Sequence, residues 1–142
     1  MRETALHISE PLELRHEEGD VFVTLQQKKD YIEAKWHGHI TADDVVTAAK
    51  AYLELIQAHP CPKLLNDKTE VTGDWEEAND WLEFEWLPKV TAAGLRYFAH
   101  VFSENMFSRL SARDLAMRIS PPLQMSAFED RKAAESWLAE CR

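Results

Sequence analysis

The chain has 142 residues, of which 45% are hydrophobic and 29% charged, with only four glycines and six prolines. This composition suits one folded domain that buries a core without disulfide or metal staples, and it excludes a disordered or low-complexity chain. A formal net charge of −9 opposes phosphate backbones, because nonspecific nucleic-acid affinity comes from Lys and Arg displacing counterions, so DNA and RNA are not expected partners. No apolar run approaches the ~20 residues that span a bilayer, and Met1-Arg2-Glu3-Thr4 lacks the apolar core of a signal peptide, so a cytoplasmic location is expected. Cys61 and Cys141 form no Cys-x-x-Cys pair; two free thiols are expected, with no zinc ribbon and no cofactor.

In chain order, residues 1–11 read as irregular or as an edge strand. Leu12 and Leu14 alternate with Glu13 and Arg15 as a short edge strand before a turn at Glu18-Gly19-Asp20. Val21 to Gln27 and Tyr31 to Trp36 form a hairpin across Lys28-Lys29-Asp30, with Ile32, Ala34 and Trp36 on the core face. Thr41-Ala42-Asp43-Asp44 resembles a capping box and opens a helix to about Ala58, whose Val45, Ala49, Tyr52, Leu53 and Ile56 fall within a ~100° arc. Pro60 and Pro62 stop it, and Lys63 to Asp67 is a short buried strand followed by a loop from Asp67 to Trp75.

A second helix starts near Gly73-Asp74, with Trp75, Ala78, Leu82 and Trp86 facing the core and Trp81 and Phe84 on the other side among carboxylates. Pro88 should kink or interrupt it, and Gly94 suits a left-handed stop. Leu95 to Phe102 is an apolar strand expected at the centre of the sheet. Ser103 is placed to cap a helix to about Leu110, and Ser111-Ala112-Arg113-Asp114 to cap a restart toward Ile119. After Ser120-Pro121-Pro122, Leu123 to Phe128 is the last strand, and Glu129 or Asp130 caps a terminal helix with Ala134, Trp137, Leu138 and Cys141 on one face. The order implies an α/β fold: a mixed, mostly parallel sheet of about five or six strands with an N-terminal hairpin and about four helices, in one domain over residues 1–142.

Three stretches resemble the SpoIIAA-like branch of the STAS superfamily, whose relatives include the lipid-binding SEC14 fold. Gly38-x-Ile40-Thr41 is similar to the close of the early strand in STAS domains. Asp67-Lys68-Thr69-Glu70-Val71-Thr72 is similar to their Asp-x-Ser-x-Val-Thr run. Glu85-Trp86-Leu87-Pro88, Gly94 before the Leu95 to Phe102 strand, and Phe128-Glu129-Asp130 with Ala134 and Trp137-Leu138 resemble SpoIIAA-like families of unassigned function. The resemblance spans residues 12 to 140 and implies a regulatory binding module that docks the loop after Asp67 on a partner. Phosphorylatable STAS antagonists carry an Asp-Ser pair where this chain has Trp75-Glu76, so a serine switch is not implied here.

The expected partner-binding loop residues are Asp67, Thr69, Thr72, Asp74 and Trp75, and the expected interface residues are Trp81, Phe84 and Leu87, aromatic and apolar groups set among acids. The expected partner is another protein or a second copy of the chain. An alternative is a SEC14-like carrier holding a small apolar or lipid ligand among the aromatic groups of Trp75 to Trp86 and Tyr97 to Phe107. His37 and His39 share one strand face at metal-ligand spacing but lack further ligands nearby, which reads as a solvated strand end rather than a metal site. His7, His16 and His59 belong to no constellation, and His100 reads as a satisfied histidine within a strand. The chain holds no Gly-x-Ser-x-Gly elbow, phosphate loop or Cys-His pair, so no catalytic residues are assigned.

Overall fold

Six strands form one sheet in the order β1-β2-β3-β4-β5-β6 in the computed structural model, which describes residues 10–142. His7 and most of the segment 1–11 lie outside the described residues. β1 (Leu12–Arg15), β2 (Val21–Gln27) and β3 (Ile32–His39) pair antiparallel; β4 (Lys63–Thr72), β5 (Tyr97–Val101) and β6 (Gln124–Phe128) extend the sheet in parallel from β3. Parallel strands need crossovers, and crossovers of one hand laid down in one direction put their helices on one face. α1 (Ala42–Ala58), the helical stretch 76–92 and α4 (Met106–Ala116) accordingly share the larger core with Phe22, Trp36, Leu64 and Phe98. α5 (Arg131–Glu140) packs Ala134 and Leu138 on Leu65, Ala99 and Val101 of the opposite face.

The hairpin and the capping box follow the sequence reading. Thr41 Oγ1 accepts from the Asp44 amide at 3.2 Å and Asp44 Oδ2 accepts from the Thr41 amide at 3.0 Å, two otherwise orphaned donors satisfied reciprocally. Asp130 caps α5, accepting from the Ala133 amide at 2.8 Å. Ile32, Ala34 and Trp36 are buried as expected, and Gly94 takes φ +116° after the second helical stretch. Cys61 and Cys141 are free thiols.

Four local expectations are corrected. β4 continues five residues past Asp67 to Thr72, because its edge pairs with β3 as far as His39 opposite Thr72; the loop expected to start at Asp67 starts only at Gly73. Leu95 to Phe102 is not at the sheet centre: β5 has neighbours on both sides but lies one strand from the edge. Pro88 does not break the second helix. A π-turn over Leu82–Trp86 sends the Leu87 amide back to Leu82, and Pro88 then falls in the first turn of α3 (Leu87–Ala92), where its missing N–H is tolerated. α2 (Asn79–Trp81) and a 3₁₀ turn (Glu76–Ala78) precede that bulge. Finally, α4 is uninterrupted. Asn105 caps it through the Ser108 amide, while Ser103 donates to the Val71 carbonyl at 2.6 Å and Ser111 sits buried mid-helix, bonded to the Phe107 carbonyl. A mid-helix serine can satisfy its hydroxyl on the carbonyl four residues back, so it need not start a new helix.

Candidate functional site

The irregularity that creates the site lies in β4. Lys35 pairs with Asp67 and His37 with Glu70, so two residues of β3 span three of β4, and β4 bulges at Lys68–Thr69. The extra residue shifts the side-chain phase. Leu64, Asn66 and Lys68 face the helices, yet Glu70 is exposed and Val71 is buried. Lys68, the last inward position before that shift, is only 2% exposed.

No carboxylate meets it there. Asp67, its neighbour in sequence, projects to the opposite face of the sheet, where Oδ1 accepts from the Thr69 amide and hydroxyl and Oδ2 faces Lys35 Nζ at 3.3 Å and Arg131 at 3.4 Å. Burial pushes the Asp67 pKa up, but the Thr69 donors and Lys35 outweigh it and hold the carboxyl below its usual value. Lys68 Nζ instead sits over the ring of Trp75, 3.5 Å from its centroid, and over that of Trp36, 4.3 Å from its centroid. Among the described residues no hydrogen bond or ion pair reaches it. Indole faces favour an ammonium by about 2 kcal/mol each when desolvated, whereas stripping an ammonium of water costs several kcal/mol, so burial wins and depresses the Lys68 pKa well below the lysine range.

The amine borders an internal cavity of about 40 Å³ whose walls include Leu25, Val45, Leu82, Trp86 and Phe98 together with Asn66 and Tyr52. A network fixes the polar side of this cavity. Trp36 Nε1 donates to Asn66 Oδ1 at 2.7 Å; an indole N–H can only donate, so the Asn66 amide nitrogen faces His100 Nδ1 at 3.2 Å and donates to it. His100 therefore carries its proton on Nε2. Its full burial, with Lys68 nearby, pushes its pKa down to about 3. This is the satisfied strand histidine expected from the sequence. Tyr52 differs: its hydroxyl is buried without a hydrogen-bond partner among the described residues.

The sequence reading passed over Lys68 because it ended the strand at Asp67. Period-2 alternation through Leu64 and Asn66 was the available signal, since it places the next inward position at Lys68.

The residues expected to form a partner surface are distributed unevenly. Trp75 is fully buried; its Nε1 donates to Ser108 Oγ at 3.1 Å and its amide to Ser111 Oγ at 3.2 Å, so it is a wall of the core and not a surface contact. Asp67 and Leu87 are also buried, and Trp81 is half-buried beside the core, with Lys50 Nζ 5.8 Å from its ring centroid. Thr69, Thr72 and Asp74 are exposed near the end of β4, and Phe84 is 68% exposed. The structure adds four exposed apolar side chains on α4 and its C-cap: Met106, Phe107, Leu110 and Met117, the last 79% exposed. Arg118 draws these two regions together by pairing with Asp80 at 2.7 Å, Glu83 at 3.0 Å and Asp114 at 3.0 Å. His37 and His39 line one surface pocket with His16; His37 faces Glu70 at 3.4 Å and His39 faces Thr72 at 3.2 Å.

No helix among the described residues is long and apolar enough to cross a membrane. A solved structure of an uncharacterized protein from the DUF3478 family with a SpoIIAA-like fold, from Shewanella loihica PV-4, superposes with a TM-score of 0.53 at 20% identity, covering 82% of this chain and 91% of that one. No curated protein matches the chain. The family model described as SpoIIAA-like matches residues 31–139, from the second strand of the hairpin through the terminal helix, and the chain belongs to the SpoIIAA-like family.

Proposed function

We propose that this protein is a non-enzymatic regulatory binding module that docks a basic protein partner on the surface formed by Phe84, α4 and the turn after β4. The observation that carries the reading is the exposure of Met106, Phe107, Leu110 and Met117 on α4 and its C-cap and of Phe84 on the helical stretch that Arg118 ties to the end of α4 through Asp80 and Glu83. Scattered single apolar residues are ordinary on a surface, but five on two adjoining elements favour a contact site. The turn belongs to the same surface, because the Gly73 amide donates to Asn105 Oδ1 at 3.3 Å and the Trp75 amide to Ser111 Oγ at 3.2 Å. Exposed Asp74, Glu76, Glu77, Asp80 and Glu85 surround it, so a basic partner is favoured over a second copy, which would bring another net charge of −9. The non-enzymatic part rests on the absence from the sequence of any recognised catalytic arrangement.

Pull-down with the immobilised protein, with and without Phe84→Ala and Leu110→Ala together, tests the surface. Recovery of a specific partner should fall at least about tenfold while the melting temperature stays within the small range expected of exposed substitutions. Unchanged recovery would remove the assignment. Light scattering reads the other occupant: a dimer that the double variant dissolves would reassign the surface to self-association.

The cavity beside Lys68 favours a second reading, a carrier or sensor of a small ligand. Its volume of about 40 Å³ holds only a few waters, so a long-chain lipid does not fit this conformation. Native mass spectrometry of the freshly purified protein should show no bound lipid; a co-purifying acyl lipid would restore the lipid-carrier alternative.

A further inference from the structure

We propose that Lys68 anchors a site for a small carbonyl compound, a short-chain aldehyde or ketone that enters the internal cavity and is held as an imine on Nζ. This rests on residues the docking surface does not use. The amine is fixed between the rings of Trp36 and Trp75 and opens on an apolar cavity sized for a molecule of a few heavy atoms. Apolar cavities in proteins admit small apolar guests.

The donors around the cavity decide between ligand classes. Trp36 Nε1 is committed to Asn66, Trp86 Nε1 to the Ala49 carbonyl at 2.8 Å, Trp75 Nε1 to Ser108, and the Asn66 amide to His100. A buried carboxylate needs several donors besides one ammonium, and here the Tyr52 hydroxyl is the one side-chain donor of the lining without a partner among the described residues. A carbonyl carbon needs one nucleophile. Burial lowers the proton affinity of the Lys68 amine and so favours the neutral form that attacks.

The step balances without a cofactor. The Nζ lone pair adds to the carbonyl carbon to give a carbinolamine; the former carbonyl oxygen then departs as water with the two amine protons, and a C=N bond forms. No electrons are gained or lost, and water reverses the reaction. The indole faces that flank Nζ also stabilise the iminium form in passing.

Reductive trapping tests this on the intact chain. The protein is incubated near neutral pH with propionaldehyde and sodium cyanoborohydride, and the N-propyl adducts are mapped by peptide mass spectrometry over time. Because burial lowers its proton affinity and it lines the cavity that would hold the aldehyde, Lys68 should be modified at least about tenfold faster than the exposed Lys132. In Lys68→Met the fast adduct should vanish while Lys132 reacts as before. Lys68 left unlabelled while Lys132 is modified, or labelled no faster than Lys132, overturns the proposal; the ratio within the wild-type chain decides even if the variant folds poorly.

Discussion

Lys68 Nζ lies 3.5 Å from the centroid of the Trp75 ring, and among the described residues no carboxylate pairs with it; Asp67, its neighbour in sequence, pairs with Lys35 and Arg131 instead. Strand alternation, which sends Lys68 inward and Asp67 to the opposite face, produces that isolation, and burying an unpaired amine costs stability. Its cost is itself measurable.

Lys68→Met keeps the length of the side chain and removes the amine. The folded-state pKa of Lys68 is depressed, so the unfolded chain binds the proton more tightly at neutral pH and protonation there favours unfolding. The variant should be more stable than wild type by on the order of 2 kcal/mol near pH 7. The gain should shrink as pH rises toward the ordinary lysine pKa, where the unfolded chain also loses its proton. Urea unfolding followed by tryptophan fluorescence reads it; a variant no more stable than wild type near pH 7 would mean the interior amine carries no such cost.

Acid should unfold the protein through His100. Its folded pKa of about 3 lies below the ordinary value of 6.5, so its contribution is complete above pH 6.5 and is lost as pH falls from there toward 3. The slope is at most about 1.4 kcal/mol per pH unit from this group. Unfolding free energies measured from neutral pH down to mildly acidic pH should fall steeply in wild type and less steeply in His100→Gln; equal slopes would place the acid sensitivity elsewhere.

Trp36→Phe keeps an aromatic face over Lys68 but removes the donor to Asn66 Oδ1, leaving a buried acceptor unsatisfied. A loss of about 1–3 kcal/mol is expected. Because the same donor fixes the Asn66 amide toward His100, the His100 imidazole resonances should shift in the variant's NMR spectrum. An unmoved His100 signal would argue against the relay.

Gly73 has φ +116°, and a Cβ there would meet the Ile40 carbonyl oxygen at 2.3 Å. The contact is backbone against backbone, at the point where the Ile40 amide bonds the Thr72 carbonyl, so no side chain can yield. Gly73→Ala should destabilise by at least about 2 kcal/mol. Gly19→Ala, with a similar positive φ but open space around it, should cost less, and thermal melts of the two variants separate clash from backbone strain.

Period and punctuation along the chain determined most of the architecture. The hairpin faces at Ile32, Ala34 and Trp36, the capping box at Thr41, and the core face of Trp75, Ala78, Leu82 and Trp86 are local patterns, readable because each depends on spacing within one element. The sequence also separated exposed Phe84 from buried Trp86 by their positions on the helix wheel. Tertiary pairing decided the rest. Only the β3 partner extends β4 to Thr72 and introduces the bulge that shifts the side-chain phase beyond Lys68, and only the packing of α4 on the turn makes Ser111 a mid-helix hydrogen-bond partner of Trp75 rather than a cap. Alternation gives Lys68 its inward direction, but whether an inward lysine is covered depends on how far the neighbouring strand extends β4 and on the helices above it, and a linear pattern does not contain that information.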